Sequence, residues 1–179
     1  MAAEKPIPRR TVEALLRPEV VVASDGLKAG LRELGIDLEH LEPSYAVATM
    51  RLAMDLIRAE ICPERDAAAG FRELGRRFVL GFKQTPVGWI FTAMAPLFGP
   101  DLTMQTLPRY LSSVRDNFPL SVIAEGDRRY RFISHDVAQY PEFIAGCVEL
   151  VLETCGVPSY EVLCLRRDPG FELEVRWPK

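Results

Sequence analysis

The chain carries 179 residues, 48% hydrophobic and 26% charged, with a net charge of −3. That is enough apolar material for one core, and the mild acidity is the wrong sign for a nucleic-acid protein, whose signature is a basic stripe. No apolar run approaches the roughly 20 residues needed to cross a bilayer.

Residues 1–10 carry charges and two prolines but lead into no apolar segment of signal-peptide type, so a mobile tail on a cytoplasmic protein is expected. The rest, 11–179, reads as a single α+β domain with a helical part over 11–117 and a sheet part over 118–179. Thr11 can cap a short helix through Arg17, stopped by Pro18. Asp25 can cap a helix with Leu27, Leu31 and Leu34 on one face, closed by Gly35. Ser44 can cap a longer one to Ile61, with Val47, Met50, Met54, Leu56 and Ile57 inside and Pro63 beyond its end.

Glu64 to Phe82 is the longest periodic segment. Ala67, Phe71, Leu74, Phe78 and Phe82 form its apolar seam, and Arg65, Arg72, Arg76 and Lys83 fall opposite. Such an arginine stripe is more often a solvated face paired with neighbours such as Glu73 than a phosphate or acidic-partner site. Pro86 opens the next helix, Val87 to Phe98, which is apolar nearly all round and so belongs in a core or an interface. Gly99-Pro100 breaks it. Asp101 caps a helix from Leu102 to about Arg115, which Pro108 should bend or divide.

From Phe118 to Trp177 the period changes. Leu120–Glu125 and Arg128–His135 read as a hairpin about Gly126-Asp127, a type II′ turn, with Tyr130, Phe132 and Ser134 on one face. Tyr140–Thr154 reads as an amphipathic helix closed by Gly156, with Phe143, Cys147, Leu150 and Val151 in its stripe. Gly146 in mid-helix costs roughly 1 kcal/mol against alanine. It marks either close approach of the helix to the sheet or to another helix, or chance. Tyr160–Arg167 and Phe171–Trp177 form a second hairpin about Asp168-Pro169-Gly170. The fold expected is a helical bundle followed by hairpin, helix and hairpin, the hairpins making one four-stranded antiparallel sheet.

Known catalytic constellations do not emerge. There is no glycine-rich phosphate loop and no dinucleotide fingerprint. His40 and His135 are far apart in sequence, and Ser134 and His135 should point to opposite sheet faces, so they make no triad. Four cysteines without paired spacing fit free thiols in a reducing compartment. Cys147, Cys155 and Cys164 would need to converge by luck to hold zinc. Cys62, beside a helix end and near Arg65, is the thiol to test first for reactivity.

The order of helices, hairpin, helix and hairpin resembles a superfamily with three branches: haem nitric-oxide/oxygen-binding (H-NOX) domains, the small subunits of TRAPP tethering complexes, and vinyl-reductase-type sensor domains. Phe143-Ile144-Ala145-Gly146 resembles their glycine-bearing helix, and Tyr160 to Val175 their terminal hairpin. More closely, Gly35-Ile36-Asp37, Phe71-Arg72-Glu73-Leu74-Gly75 and Pro119 to Phe132 resemble an uncharacterised paralogous family restricted to myxobacteria. The resemblance implies a haem for one branch only, and this chain departs from that branch. The helix before the first hairpin has no proximal histidine, Tyr110 being its one conceivable ligand. Near Phe132-Ile133-Ser134-His135-Asp136 the serine of the propionate clamp matches, but an aspartate stands in place of its arginine. Vinyl-reductase-type relatives often pair cysteines around the last hairpin; here Cys164 is alone and Phe171 occupies the second region.

The resemblance therefore implies a non-enzymatic binding or sensory domain without haem, cofactor or metal. An apolar or lipid-like ligand would lie between helices and sheet. Phe78, Phe82, Trp89, Phe91, Met94, Phe98 and Tyr110 are the candidate pocket residues, unless these aromatics simply fill a solid core. The alternative is a scaffold domain that forms a homodimer, or pairs with a related paralogue, through the apolar helix Val87–Phe98, as helices do in TRAPP-type dimers.

Overall fold

The computed structural model describes residues 6–114, 120–135, 140–166 and 170–178. Its elements run β1 (Ile7–Pro8), α1 (Arg9–Leu15), α2 (Asp25–Glu33), β2 (Ser44–Tyr45), α3 (Val47–Ile61), α4 (Ala67–Lys83), α5 (Pro86–Val114), β3 (Leu120–Gly126), β4 (Arg129–Ser134), α6 (Pro141–Thr154), β5 (Glu161–Arg166) and β6 (Phe171–Arg176). The main sheet is antiparallel throughout, in the order β3-β4-β6-β5. This is the α+β architecture that the hairpin–helix–hairpin pattern predicts.

Alternation decides the sheet's two faces. Tyr130, Phe132 and Ser134 on β4, and Phe171, Leu173, Val175 and the following Trp177 along β6, are all buried on the helix side. The other face carries Arg129, Arg131, Glu172 and Glu174 between Ile123 at one edge and Leu163 and Leu165 at the other. Glu172, at 1% exposure, sits between Ile133 and Leu165 with Arg131 Nε 3.0 Å away. A carboxylate so deep is tolerated only with such a partner.

α6 lies on β5 and β6 and packs under α4, the most extensive helix pair in the fold. The pairing rests on two glycines. A Cβ on Gly146 would stand 1.9 Å from the carbonyl oxygen of Arg72, and one on Gly75 would stand 1.9 Å from that of Phe143. Cys147 Sγ donates to the Gly75 carbonyl at 3.3 Å across the same crossing. Gly146 therefore marks close approach, and to a helix, not to the sheet. α3 packs on the far side of α4 and α2 on α3, while α5 reaches α4, α6 and β3.

Several local expectations are corrected. Residues 7–10 are not tail: Ile7 is buried and pairs with Tyr45 in a small second sheet, and Arg9 opens α1. Proline flanks are tolerated there because the strand is short and marginal. Thr11 lies inside α1, which Pro8 precedes. Ser24, not Asp25, caps α2, its hydroxyl accepting from the Leu27 N–H at 3.1 Å, and Asp25 falls in the first turn where its charge suits the helix dipole. Ser44 belongs to β2, and α3 starts after Ala46 without a side-chain cap. In the first hairpin, Asp127 and Arg128 make the turn, with Arg128 at φ 59° and a register shift between Ala124 and Gly126. α5 breaks at Gly99 (φ 74°, ψ 169°), as read, but runs on through Pro108. Residues 167–169 of the second turn lie outside the described residues.

Adding a methyl group at Gly146 should force the two backbones apart. Gly146→Ala is expected to cost roughly 1–3 kcal/mol or more, lowering Tm by about 2–4 °C per kcal/mol in a chain of this size. Adding Gly75→Ala should cost less than it does alone, because the crossing is already open. Calorimetric melts of the three variants check this; an unchanged melt for Gly146→Ala would remove the crossing from the account.

Candidate functional site

The seven aromatic and apolar candidates divide between two environments. Phe78 lies buried among rings, 5.4 Å from Phe143 and 6.4 Å from Phe82 between centroids. Phe91 is buried with its ring centroid 4.2 Å from that of Tyr110. Met94 is half-buried. Trp89 and Phe98, by contrast, face outward, Trp89 at 63% exposure. Around the buried members, Leu74, Met104, Phe132, Ile144, Leu152 and Leu173 are all at 1% exposure or below, so the layer between helices and sheet is side chain packed on side chain. The chain does hold an open recess of about 380 Å³, but at the sheet's end, lined by Ser159, Tyr160, Glu161, Arg176, Trp177 and Pro178.

The outward members continue into a surface. In the half of α5 before Gly99, Gly88, Phe91, Thr92 and Ala95 are buried, which is one stripe at helical spacing. Trp89, Ile90, Ala93 and Leu97 form the stripe opposite and are exposed, Leu97 at 77%. Val87 and Phe98, on a flank of the helix, and Leu102, past the break, are exposed as well. A helix apolar on both sides thus has one side covered among the described residues and the other exposed. An apolar patch of this kind is at the upper end of what a monomer exposes.

Of the basic stripe, Arg65 and Lys83 stay exposed as expected, but Arg72 and Arg76 do not. Arg72 Nη1 donates to Glu149 Oε1 at 2.8 Å, and Arg76 Nη2 donates to Glu153 Oε2 at 2.7 Å, both across to α6. Arg77 and Arg65 do turn to Glu73. Arg72 also reaches the Val162 carbonyl and Cys164 Sγ, each at 3.5 Å, tying α4 to β5. Burial pushes the Glu149 carboxyl up against the pull of Arg72 and Arg76. The hydrogen bond from Arg76 holds Glu153 below the usual carboxylate range, against its lesser burial and with help from the Tyr160 hydroxyl. Sequence reasoning missed this clasp because the arginines and glutamates sit 77 residues apart; the shared four-residue spacing of Arg72/Arg76 and Glu149/Glu153 was the available signal. A similar tie holds the start of α6. The Tyr140 hydroxyl donates to Asp55 at 3.0 Å while its ring stacks on Phe71 at 3.8 Å. Burial, then the Asp55 contact, pushes that hydroxyl up to about 12.

A family model described as "Protein of unknown function (DUF2378)" matches residues 5–178. The chain belongs to the DUF2378 family. No curated protein matches it in sequence. Among solved structures it is similar to a Cs H-NOX mutant carrying 4-cyano-L-phenylalanine, at 11% identity, TM-score 0.66, covering 97% of each chain. It is also similar to an oxygen-binding H-NOX domain related to soluble guanylate cyclases, at 12% identity, TM-score 0.62, covering 95% of this chain and 92% of that one. A T. tengcongensis H-NOX variant aligns at 13% identity, TM-score 0.60, over 87% and 88%. At such identities the likeness shows the fold alone.

The groups singled out in the sequence as possible ligands lie apart in the fold. His40 lies in the connection after α2 and His135 at the end of β4, both exposed. Tyr110 is occupied by the Phe91 ring. Ser134 is buried on the helix side of β4 and Asp136 lies outside the described residues. Cys147 is buried, and burial pushes its thiol well up; burial also raises Cys155 and Cys164. Cys62 is buried at the C-terminal end of α3, and Arg65 points to Glu73, 3.8 Å away. No group of three metal-ligating side chains converges among the described residues, nor is any helix there long and apolar enough to cross a membrane.

The two clasp glutamates should titrate in opposite senses. The depressed Glu153 stabilises the fold above its unfolded pKa and loses that contribution as pH falls through its folded one. Glu153→Gln should therefore cost roughly 0.5 kcal/mol at neutral pH, the screened value for a surface pair, and the gap to wild type should close as pH drops through the carboxylate range. The raised Glu149 behaves inversely: wild type should gain on Glu149→Gln as pH falls. Denaturant melts from neutral pH to pH 3 check both slopes.

Proposed function

We propose that this DUF2378 chain is a non-enzymatic regulatory domain, of the vinyl-reductase- and TRAPP-like manner rather than the haem-binding one, working in the cytoplasm through the apolar face of α5 as a protein-docking surface. One observation carries the reading: the first half of α5, Val87 to Phe98, is apolar nearly all round yet keeps Trp89, Ile90 and Leu97 outside the core. Burying such side chains is worth about 1.5–3 kcal/mol each, so leaving them in water is the cost of a monomer that a partner would recover. Thiols without disulfide partners among the described residues fit the cytoplasmic placement.

A second reading, an apolar or lipid-like ligand held between helices and sheet, draws support from the fold's likeness to an oxygen-binding domain. It is the weaker reading because Phe78, Phe82, Phe91 and Tyr110 already contact other rings. A haem finds still less support. In the helix before the first hairpin the candidate axial ligand is Tyr110, whose ring packs on Phe91, and Phe132 and Leu173 are buried on the inner sheet face.

Titrating haem into the purified chain is expected to give only the broad absorbance of non-specifically bound haem, unchanged by Tyr110→Phe or His135→Ala. A sharp, stoichiometric band abolished by either substitution would overturn the haem-free reading.

A further inference from the structure

The occupant of the α5 face can be argued from the face itself; this step rests on the docking reading above. From Thr85 to Thr106 the sole charged residue is Asp101, and its carboxylate accepts from the Tyr130 hydroxyl at 2.8 Å. The surface therefore offers a charged partner nothing to pair with, and it brings no like charges together when it meets itself. A chain of net charge −3 repels its own copies weakly, and the contact would be made where charge is absent.

The order of side chains along the stripe is also self-complementary. Ala93 stands at its centre, exposed and small. Trp89 lies four residues before it and Leu97 four after; Ile90 lies three before and Pro96 three after, and all are exposed. Residues at these spacings share a helix face. If a second copy of the helix lies antiparallel on a two-fold axis through Ala93, Trp89 of one copy falls against Leu97 of the other, twice, and the small residues let the backbones approach. This is the isologous arrangement that closed dimers require. Counting the flanking Val87, Phe98 and Leu102, the exposed apolar side chains of α5 offer on the order of 600 Å² per copy, so adjoining polar surface must supply the rest of the roughly 800 Å² per partner of a stable interface.

We infer that the α5 face is a homodimer interface, two copies crossing antiparallel at Ala93. Sedimentation equilibrium of the full chain at tens of micromolar should give twice the 20.1 kDa chain mass. The double variant Trp89→Glu/Leu97→Glu should sediment as monomer, with association weakened at least ~100-fold, while its circular dichroism matches wild type. Ala93→Cys should form an interchain disulfide on mild oxidation, and Leu102→Cys, also exposed but far from the axis, should not.

A dimer that persists in the double variant, or cross-links no better at 93 than at 102, overturns the assignment. A monomeric wild type that binds the dye anilinonaphthalene sulfonate, with binding lost in the double variant, overturns the second copy but keeps α5 as a docking surface. A monomeric wild type that instead sediments with phosphatidylcholine–phosphatidylglycerol vesicles, again lost in the double variant, assigns the face to a membrane and overturns both readings. So does a monomer whose dye binding the variant leaves unchanged.

Discussion

Two helices touch backbone to backbone where α4 crosses α6, and most of the molecule is arranged about that crossing. Helices with ordinary side chains between them lie about 8–10 Å apart. Gly75 and Gly146 remove those side chains at the point of contact, so each helix rests on a carbonyl of the other. Once the axes are this close, long side chains within a turn or two of the glycines can meet across the crossing. That is why Arg72 finds Glu149 and Arg76 finds Glu153, and why Arg72 can reach on to a backbone carbonyl of β5. The clasp is a consequence of the glycines, and its charges are tolerable at partial burial because each is paired.

The same contact bears on function. α6 sits on β5 and β6, so drawing α4 onto α6 brings the helical layer down on the sheet. Phe132, Leu173 and Met104 are fully buried there, and the aromatic rings of α4 and α5 spend their faces on one another. Among the described residues, the layer between helices and sheet is built of buried side chains, and the first half of α5 leaves Trp89, Ile90 and Leu97 exposed.

Much of this was legible in the residues. Alternation along Tyr130–Ser134 and Phe171–Trp177 gave the sheet and its buried face, because a period of two has no other reading over so many residues. The break at Gly99-Pro100 was equally plain. Helix starts were less so: Asp25 has a side chain that can cap, but the neighbouring Ser24 takes that place in the structure. Long-range pairings were hidden. Nothing local in Arg72 or Arg76 says that their partners lie on α6, and nothing local in Ile7 says that Tyr45 will bury it. The apolar character of Val87–Phe98 was evident, but period analysis could not say which side its own chain would cover, since both sides are apolar. For that reason a pocket and an interface shared the same candidate residues, and burial alone separated Phe91 from Trp89.

The central claim is that the crossing leaves the interior to side chains and the exterior of α5 to a partner. A native mass spectrum of the chain as purified from cells reads both halves at once. The account expects an integral multiple of the bare 20.1 kDa chain, with the pair predominating. A single chain retaining the added mass of a co-purified small molecule would contradict it.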